Sequence, residues 1–223
     1  MKNVIKAGIL ASVIFSTIAQ SNNQVYLEQL GSGGTITVDQ LGAGNNVGAS
    51  RLNPSRVEGN AATVTIQQTG NNNSSQYSIM GDNNTYTSSI NGDSNIINLN
   101  CGNQSATCGT SVITESVIGN NNQITSTILG TGNKATTSIT GNTNRVTTTV
   151  DTNSAISNIT LTGDNNTVIS SISGVTNSGG HNLVINANGS GNNIQTTQTG
   201  SLDTTVNIQL RGAANTITVR TGN

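Results

Sequence analysis

Gly119-Asn120-Asn121-Asn122-Gln123-Ile124-Thr125-Ser126-Thr127-Ile128-Leu129-Gly130-Thr131-Gly132-Asn133-Lys134-Ala135-Thr136-Thr137-Ser138-Ile139-Thr140-Gly141 places three glycines eleven residues apart. The same interval separates Gly59, Gly70, Gly81 and Gly92. Counting from each glycine, the third residue is usually asparagine, the fifth and ninth are apolar, and the seventh is small and hydroxylated. Examples are Ile124, Ser126 and Ile128, then Val146, Thr148 and Val150, then Tyr86, Ser88 and Ile90. Side chains on a strand alternate between faces, so this spacing predicts a strand with one buried row after every turn. The intervening residues, such as Gln123, Thr125 and Thr127, are polar and face outward.

An isolated arc of this length cannot bury its two or three apolar side chains well enough to offset the entropy of ordering its backbone. Stacking solves the problem. The predicted fold is therefore all-β: a β-solenoid of stacked 22-residue coils, each made of two 11-residue strand-turn arcs, with two facing parallel sheets. The turn glycines are Gly31, Gly42, Gly59, Gly70, Gly81, Gly92, Gly119, Gly130, Gly141, Gly163, Gly174, Gly189, Gly200 and Gly212. Glycine suits a turn that needs positive φ or a close pass against its neighbour. Asparagine tolerates the left-handed region and can hydrogen-bond local backbone, which predicts turn chemistry for G-D-N-N at Gly81 to Asn84 and Gly163 to Asn166. The clock slips at Arg51 to Val57, around Cys101 to Cys108, and between Gly174 and Gly189; these insertions are expected at arc junctions.

Side-chain amides recur at Gln29, Gln40, Asn45, Gln68, Asn73, Asn84, Asn95, Asn122, Asn133, Asn144, Asn166, Asn192, Gln198 and Asn215. Stacked coils would align them as hydrogen-bonded ladders. Such ladders matter because the chain is 32% hydrophobic, with one Phe, three Tyr and no Trp, so large side chains supply little of the core.

Only 8% of residues are charged and the net charge is −1. No basic patch exists to bind nucleic acid. Low charge with high β-propensity instead favours self-association. Lys2 and Lys6, the apolar run from Ala7 to Ile18, and small residues at Thr17 and Ala19 match a secretory signal peptide over residues 1–19, leaving residues 20–223 as one repeat domain. An exported chain with an isolated pair, Cys101 and Cys108, is expected to close a disulfide around a short loop. Two cysteines and His181 are too few to hold a metal, and no base and orienter accompany a nucleophile. The reading is of a protein that is not an enzyme, with no cofactor and no small-molecule substrate. Asp82, Asp93 and Asp164 lack the repeated glycines of a calcium nonapeptide and are read as turn formers. Glu115 is the one charge that the register places inward, or it marks a local slip after the cysteine loop.

Gln40-Leu41-Gly42-Ala43-Gly44-Asn45 is Q-x-G-x-G-N, and Gln29 to Gly33 is the same phrase with Gly34 where asparagine would stand. Gln68 to Asn73 and Gln198 to Gly200 repeat part of it, and G-x-G-N recurs at Gly130 to Asn133 and Gly189 to Asn192. This resembles the curlin repeat, S-x5-Q-x-G-x-G-N-x-A-x3-Q, of curli fibre subunits. The match covers nearly the whole chain in periodicity but the full motif only in scattered units, because the inward glutamine becomes aliphatic at Ile79, Ile90, Ile128 and Ile139. The resemblance implies a secreted subunit that polymerises into an extracellular amyloid-like fibre at the cell surface. Its partners would be further copies of itself and accessory secretion and nucleation proteins.

Two other readings compete. A non-polymerising solenoid, as a surface adhesin or viral structural component, would carry the same repeat. An ice-binding solenoid is suggested by outward pairs such as Thr125 with Thr127 and Thr147 with Thr149, although the row fails at Ile169, Asn98 and Gln76.

Overall fold

The computed structural model describes residues 2–8, 12–17, 22–174 and 180–222, the first two segments through their backbone. Every regular element among them is a strand. In chain order these are β1 (Lys2–Gly8), β2 (Ser12–Thr17), β3 (Gln24–Leu30), β4 (Thr35–Leu41), β5 (Asn46–Val47), β6 (Ser55–Glu58), β7 (Thr63–Thr69), β8 (Ser74–Met80), β9 (Thr85–Asn91) and β10 (Ile96–Cys101). There follow β11 (Val112–Ile118), β12 (Gln123–Leu129), β13 (Lys134–Thr140), β14 (Arg145–Asp151), β15 (Ile156–Thr162), β16 (Thr167–Ser173), β17 (Asn182–Asn188), β18 (Asn193–Thr199), β19 (Thr205–Arg211) and β20 (Thr216–Thr221).

The chain alternates between two sheets, one running from β1 and β3 to β18 and β20, the other from β2 and β4 to β17 and β19. Neighbours are parallel and equivalent positions stack: Ile124 lies beside Val146, Val146 beside Val168, and Val168 beside Ile194. The architecture is thus the β-solenoid that the repeat predicts. Inward residues of both sheets form one elongated core, in which Ile124, Ile128, Ile139, Val146 and Val168 are fully buried. Each such side chain contributes about 1.5–3 kcal/mol, and small hydroxyls such as Ser126 and Thr148 fill the positions between them.

All fourteen turn glycines have positive φ, between +89° and +156°. A Cβ on Gly119 would lie 2.0 Å from the carbonyl oxygen of Gly141, so the stacking of successive turns requires glycine for space as well as for torsion. Within each turn, the left-handed asparagine is not the third residue after the glycine. Among the described residues, the second left-handed position is the one before it, at Asn72, Asn83, Asn121 and Asn165, with φ between 56° and 58°. The third residue keeps ordinary torsions because its amide is committed to the neighbouring coils.

One insertion is not at an arc junction. Residues 48–54 interrupt a strand, between β5 and β6, and both pieces pair with β3 and β8. The core tolerates this because Val47 and Val57 still point inward on either side. The cysteine insertion does fall between strands. Cys101 ends β10, the Cys101–Cys108 disulfide closes the loop, and the carbonyl of Cys108 stands over Gly81 where a glycine carbonyl stands in other coils. The slip expected before Gly189 falls at 175–179, and the expected processing point at Ala19 and Gln20; both lie outside the described residues.

Candidate assembly interface

The amides predicted to form ladders divide into three groups. Along one corner of the solenoid, Asn23, Asn45, Asn73, Asn95, Asn122, Asn144, Asn166, Asn192 and Asn215 form a continuous column. From Asn73 to Asn144 the unit is uniform. Asn122 Nδ2 donates to Asn95 Oδ1 at 3.1 Å and to the Gly141 carbonyl at 2.7 Å, while its Oδ1 accepts from the Asn144 backbone at 2.9 Å. Each buried amide is satisfied by the coils above and below it, which makes the column cooperative. Asn84 and Asn133 lie at the opposite corner and make no such column. Asn84 Oδ1 accepts from the Ser111 N–H at 3.0 Å, Asn84 Nδ2 donates to the Cys108 carbonyl, and Asn133 Oδ1 accepts from the Ala155 N–H at 2.9 Å.

Among the described residues, the glutamines form no ladder beyond one pair. Gln40 Nε2 donates to Gln68 Oε1 at 2.8 Å. Gln198 Nε2 donates to the Asn182 and Thr204 carbonyls, and the amide of Gln29, buried in β3, has no partner among the described residues.

A second column escaped the sequence reading. The residue after the turn glycine accepts, through its side-chain oxygen, a backbone N–H of the preceding coil: Asn71 into Asp93, Asp93 into Asn120, Asn120 into Asn142, Asn142 into Asp164 and Asp164 into Ser190. The three residue types share only an acceptor oxygen, so no single letter marks the column. Asp93 and Asp164, read as turn formers, are links between coils, and Asp82 plays the same part for Asn60 at the other corner.

Glu115 points inward and is 1% exposed. Burial raises its carboxyl to about 7, against the opposing pull of hydrogen bonds from Ser126 and Tyr86. Tyr86 is itself pushed well up by burial and by the carboxylate beside it. Tyr86 in turn packs on Tyr77, with ring centroids 5.7 Å apart. His181 is buried, its Nδ1 2.8 Å from the Thr204 hydroxyl. No group of three or more His, Cys, Asp or Glu is placed to hold a metal among the described residues.

The two ends differ from the middle. Among the described residues, strands β19 and β20 are each paired on one side only. Leu210, Ile217 and Val219 pack on the core but stay partly exposed there, and grooves follow the outer side of this edge along Gln209–Arg211 and Arg220–Gly222. At the opposite end, β1 pairs with β3 and β2 with β4, in the same parallel register as the rest of the stack. In comparison with known proteins, no family model, curated protein or solved structure matches this chain.

Proposed function

We propose that this chain is a secreted structural subunit that assembles head to tail into a curli-like amyloid fibre at the cell surface, serving adhesion and biofilm matrix. The observation that carries the reading is the edge formed by β19 and β20. It presents unpaired backbone groups in register with half-buried Leu210, Ile217 and Val219, the arrangement that templates another strand. The continuous asparagine column supports it, since a repeat that satisfies its amides from coil to coil can continue from copy to copy. On this reading residues 1–19 are removed on export, and accessory secretion and nucleation proteins act before assembly. The test is electron microscopy of the processed chain: filaments with an axial strand spacing of about 4.8 Å are expected, and stable single particles would overturn it.

A second reading has one observation in its favour. Thr37, Thr65, Thr87, Thr114 and Thr136 occupy successive strands of one sheet, outward and in register. Such a column offers evenly spaced hydroxyl and methyl groups to an ordered water lattice, so thermal hysteresis in the processed chain would favour an ice-binding role. Its absence would remove this reading.

A further inference from the structure

We infer that successive copies join through a half-turn about the solenoid axis, with β19 and β20 of one copy seated on β3 and β4 of the next. The inference rests on the head-to-tail reading and specifies its joint. From β3 to β20 the chain makes seventeen arcs, with β5 and β6 counting as one, so one sheet has nine levels and the other eight. Among the described residues, strand β20 therefore has no strand across from it. If the next copy were added by translation alone, β3 would sit on β20 and the second sheet would lack one strand at that level. Its inward side chains would be left beside a void one strand wide, about 4.8 Å. Turning the next copy by half a revolution removes the void: β3 completes the coil that β20 begins, and β4 lies on β20.

The residues that meet in this joint are matched. Thr35-Ile36-Thr37-Val38-Asp39 of β4 faces Thr216-Ile217-Thr218-Val219-Arg220 of β20, identical for four residues and opposite in charge at the fifth. In-register threonine pairs and an opposed Asp39 and Arg220 are favourable cross-strand neighbours. Ile217 and Val219, half-buried in a single copy, come to lie against Ile36 and Val38. The next inward position pairs Thr221 with Gln40, whose Oγ1 and Oε1 are both buried without a hydrogen-bond partner among the described residues of one copy. In the second sheet, Val206 and Ile208 meet Val25 and Leu27.

The N-terminal edge already accepts such a pair of arcs. The segments β1 and β2 sit on β3 and β4 in the register described, with Val13 beside Ile36 and Ser16 beside Asp39. The C-terminal arcs of another copy would take the place that β1 and β2 hold in the unprocessed chain, so removal of the leader frees the joint.

The test is cysteine cross-linking in the exported, processed protein, its N-terminus checked by mass spectrometry. The half-turn places Thr37 beside Thr218 of the next copy, whereas translation places Tyr26 there. Oxidised filaments of the Thr37→Cys/Thr218→Cys double variant are expected to give a ladder of covalent oligomers, and those of Tyr26→Cys/Thr218→Cys none. The reverse pattern, or filaments that give neither ladder, overturns the half-turn and leaves head-to-tail assembly standing. A chain that forms no filament in either variant or in the unaltered protein overturns both. Independently, Asp39→Arg is expected to abolish elongation and Asp39→Arg/Arg220→Asp to restore it. Failure of the double variant to restore it counts against this register.

Discussion

Tyr86 Oη donates a 2.8 Å hydrogen bond to Glu115 Oε2 across adjacent coils, and Ser126 Oγ donates to the other oxygen of the same carboxyl at 2.6 Å. The three side chains form a buried polar bridge from one sheet to the other at mid-solenoid, directly beside Tyr77.

This bridge sets a pH dependence. An unfolded glutamate titrates near 4.5, while burial holds the folded one near 7, so the folded state binds the proton more tightly. The contribution of this carboxyl to stability is then greatest below pH 4.5, falls as pH rises from there through 7, and levels beyond; the difference is roughly 3 kcal/mol. Thermal unfolding followed by circular dichroism is expected to show a higher midpoint at pH 5 than at pH 8. Glu115→Gln, isosteric and uncharged, is expected to flatten that slope and to raise the midpoint at pH 8.

Asn122→Ala removes the two bonds donated by Nδ2 and leaves the Asn144 N–H buried without an acceptor. A loss of about 2–4 kcal/mol is expected, since each orphaned buried group costs on the order of 1–3 kcal/mol. Asn120→Ala, on the exposed rim of the same turn, is expected to cost less than half as much in a denaturant titration.

Gly119→Ala is expected to be severe and Gly109→Ala mild. At Gly119 the torsion is +125° and the added carbon would strike the Gly141 carbonyl, whereas at Gly109 the nearest atom is a threonine methyl 3.3 Å away. The first change is expected to cost more than about 3 kcal/mol, from strain together with a displaced turn. Comparison of urea midpoints checks the ranking.

Replacing Cys101 and Cys108 with serine opens a loop of sequence separation 7. Chain-entropy arguments give a loss of about 2.5 kcal/mol, with the coil register unchanged because β10 still pairs with β8 and β12. Calorimetry of oxidised and reduced protein measures the difference, and unchanged circular dichroism at 20 °C checks that the stack survives.

Much of this architecture is legible in the letters. Ile124, Ser126 and Ile128 announce their burial through alternation alone, and Gly119 announces its turn through an eleven-residue recurrence. What the letters conceal is anything that depends on which corner a residue occupies. Asn122 and Asn133 stand at the same place in their arcs, yet one joins a column and the other does not, because Ser111 and Ala155 flank the second. The acceptor column through Asp93 and Ser190 is hidden because its members share a function and not an identity. Tyr86 and Glu115 are 29 positions apart, a separation that the cysteine loop stretches beyond one regular coil. The interruption between β5 and β6 deceives for the opposite reason: a gap in the clock marks a lengthened strand as readily as a lengthened turn.

That interruption also gives the molecule a mounting point. Seven residues, 48–54, stand where Tyr26 alone stands in β3, and pairing resumes at Ser55 as though nothing had intervened. Leu52, at the tip, is 98% exposed. Chain length at this place is uncoupled from register on either side. A guest peptide grafted between Arg51 and Leu52 would be carried outside the stack, and in a polymer joined by the half-turn, with the seventeen arcs from β3 to β20 in each copy and about 4.8 Å per coil, it would recur every 41 Å or so on alternating flanks.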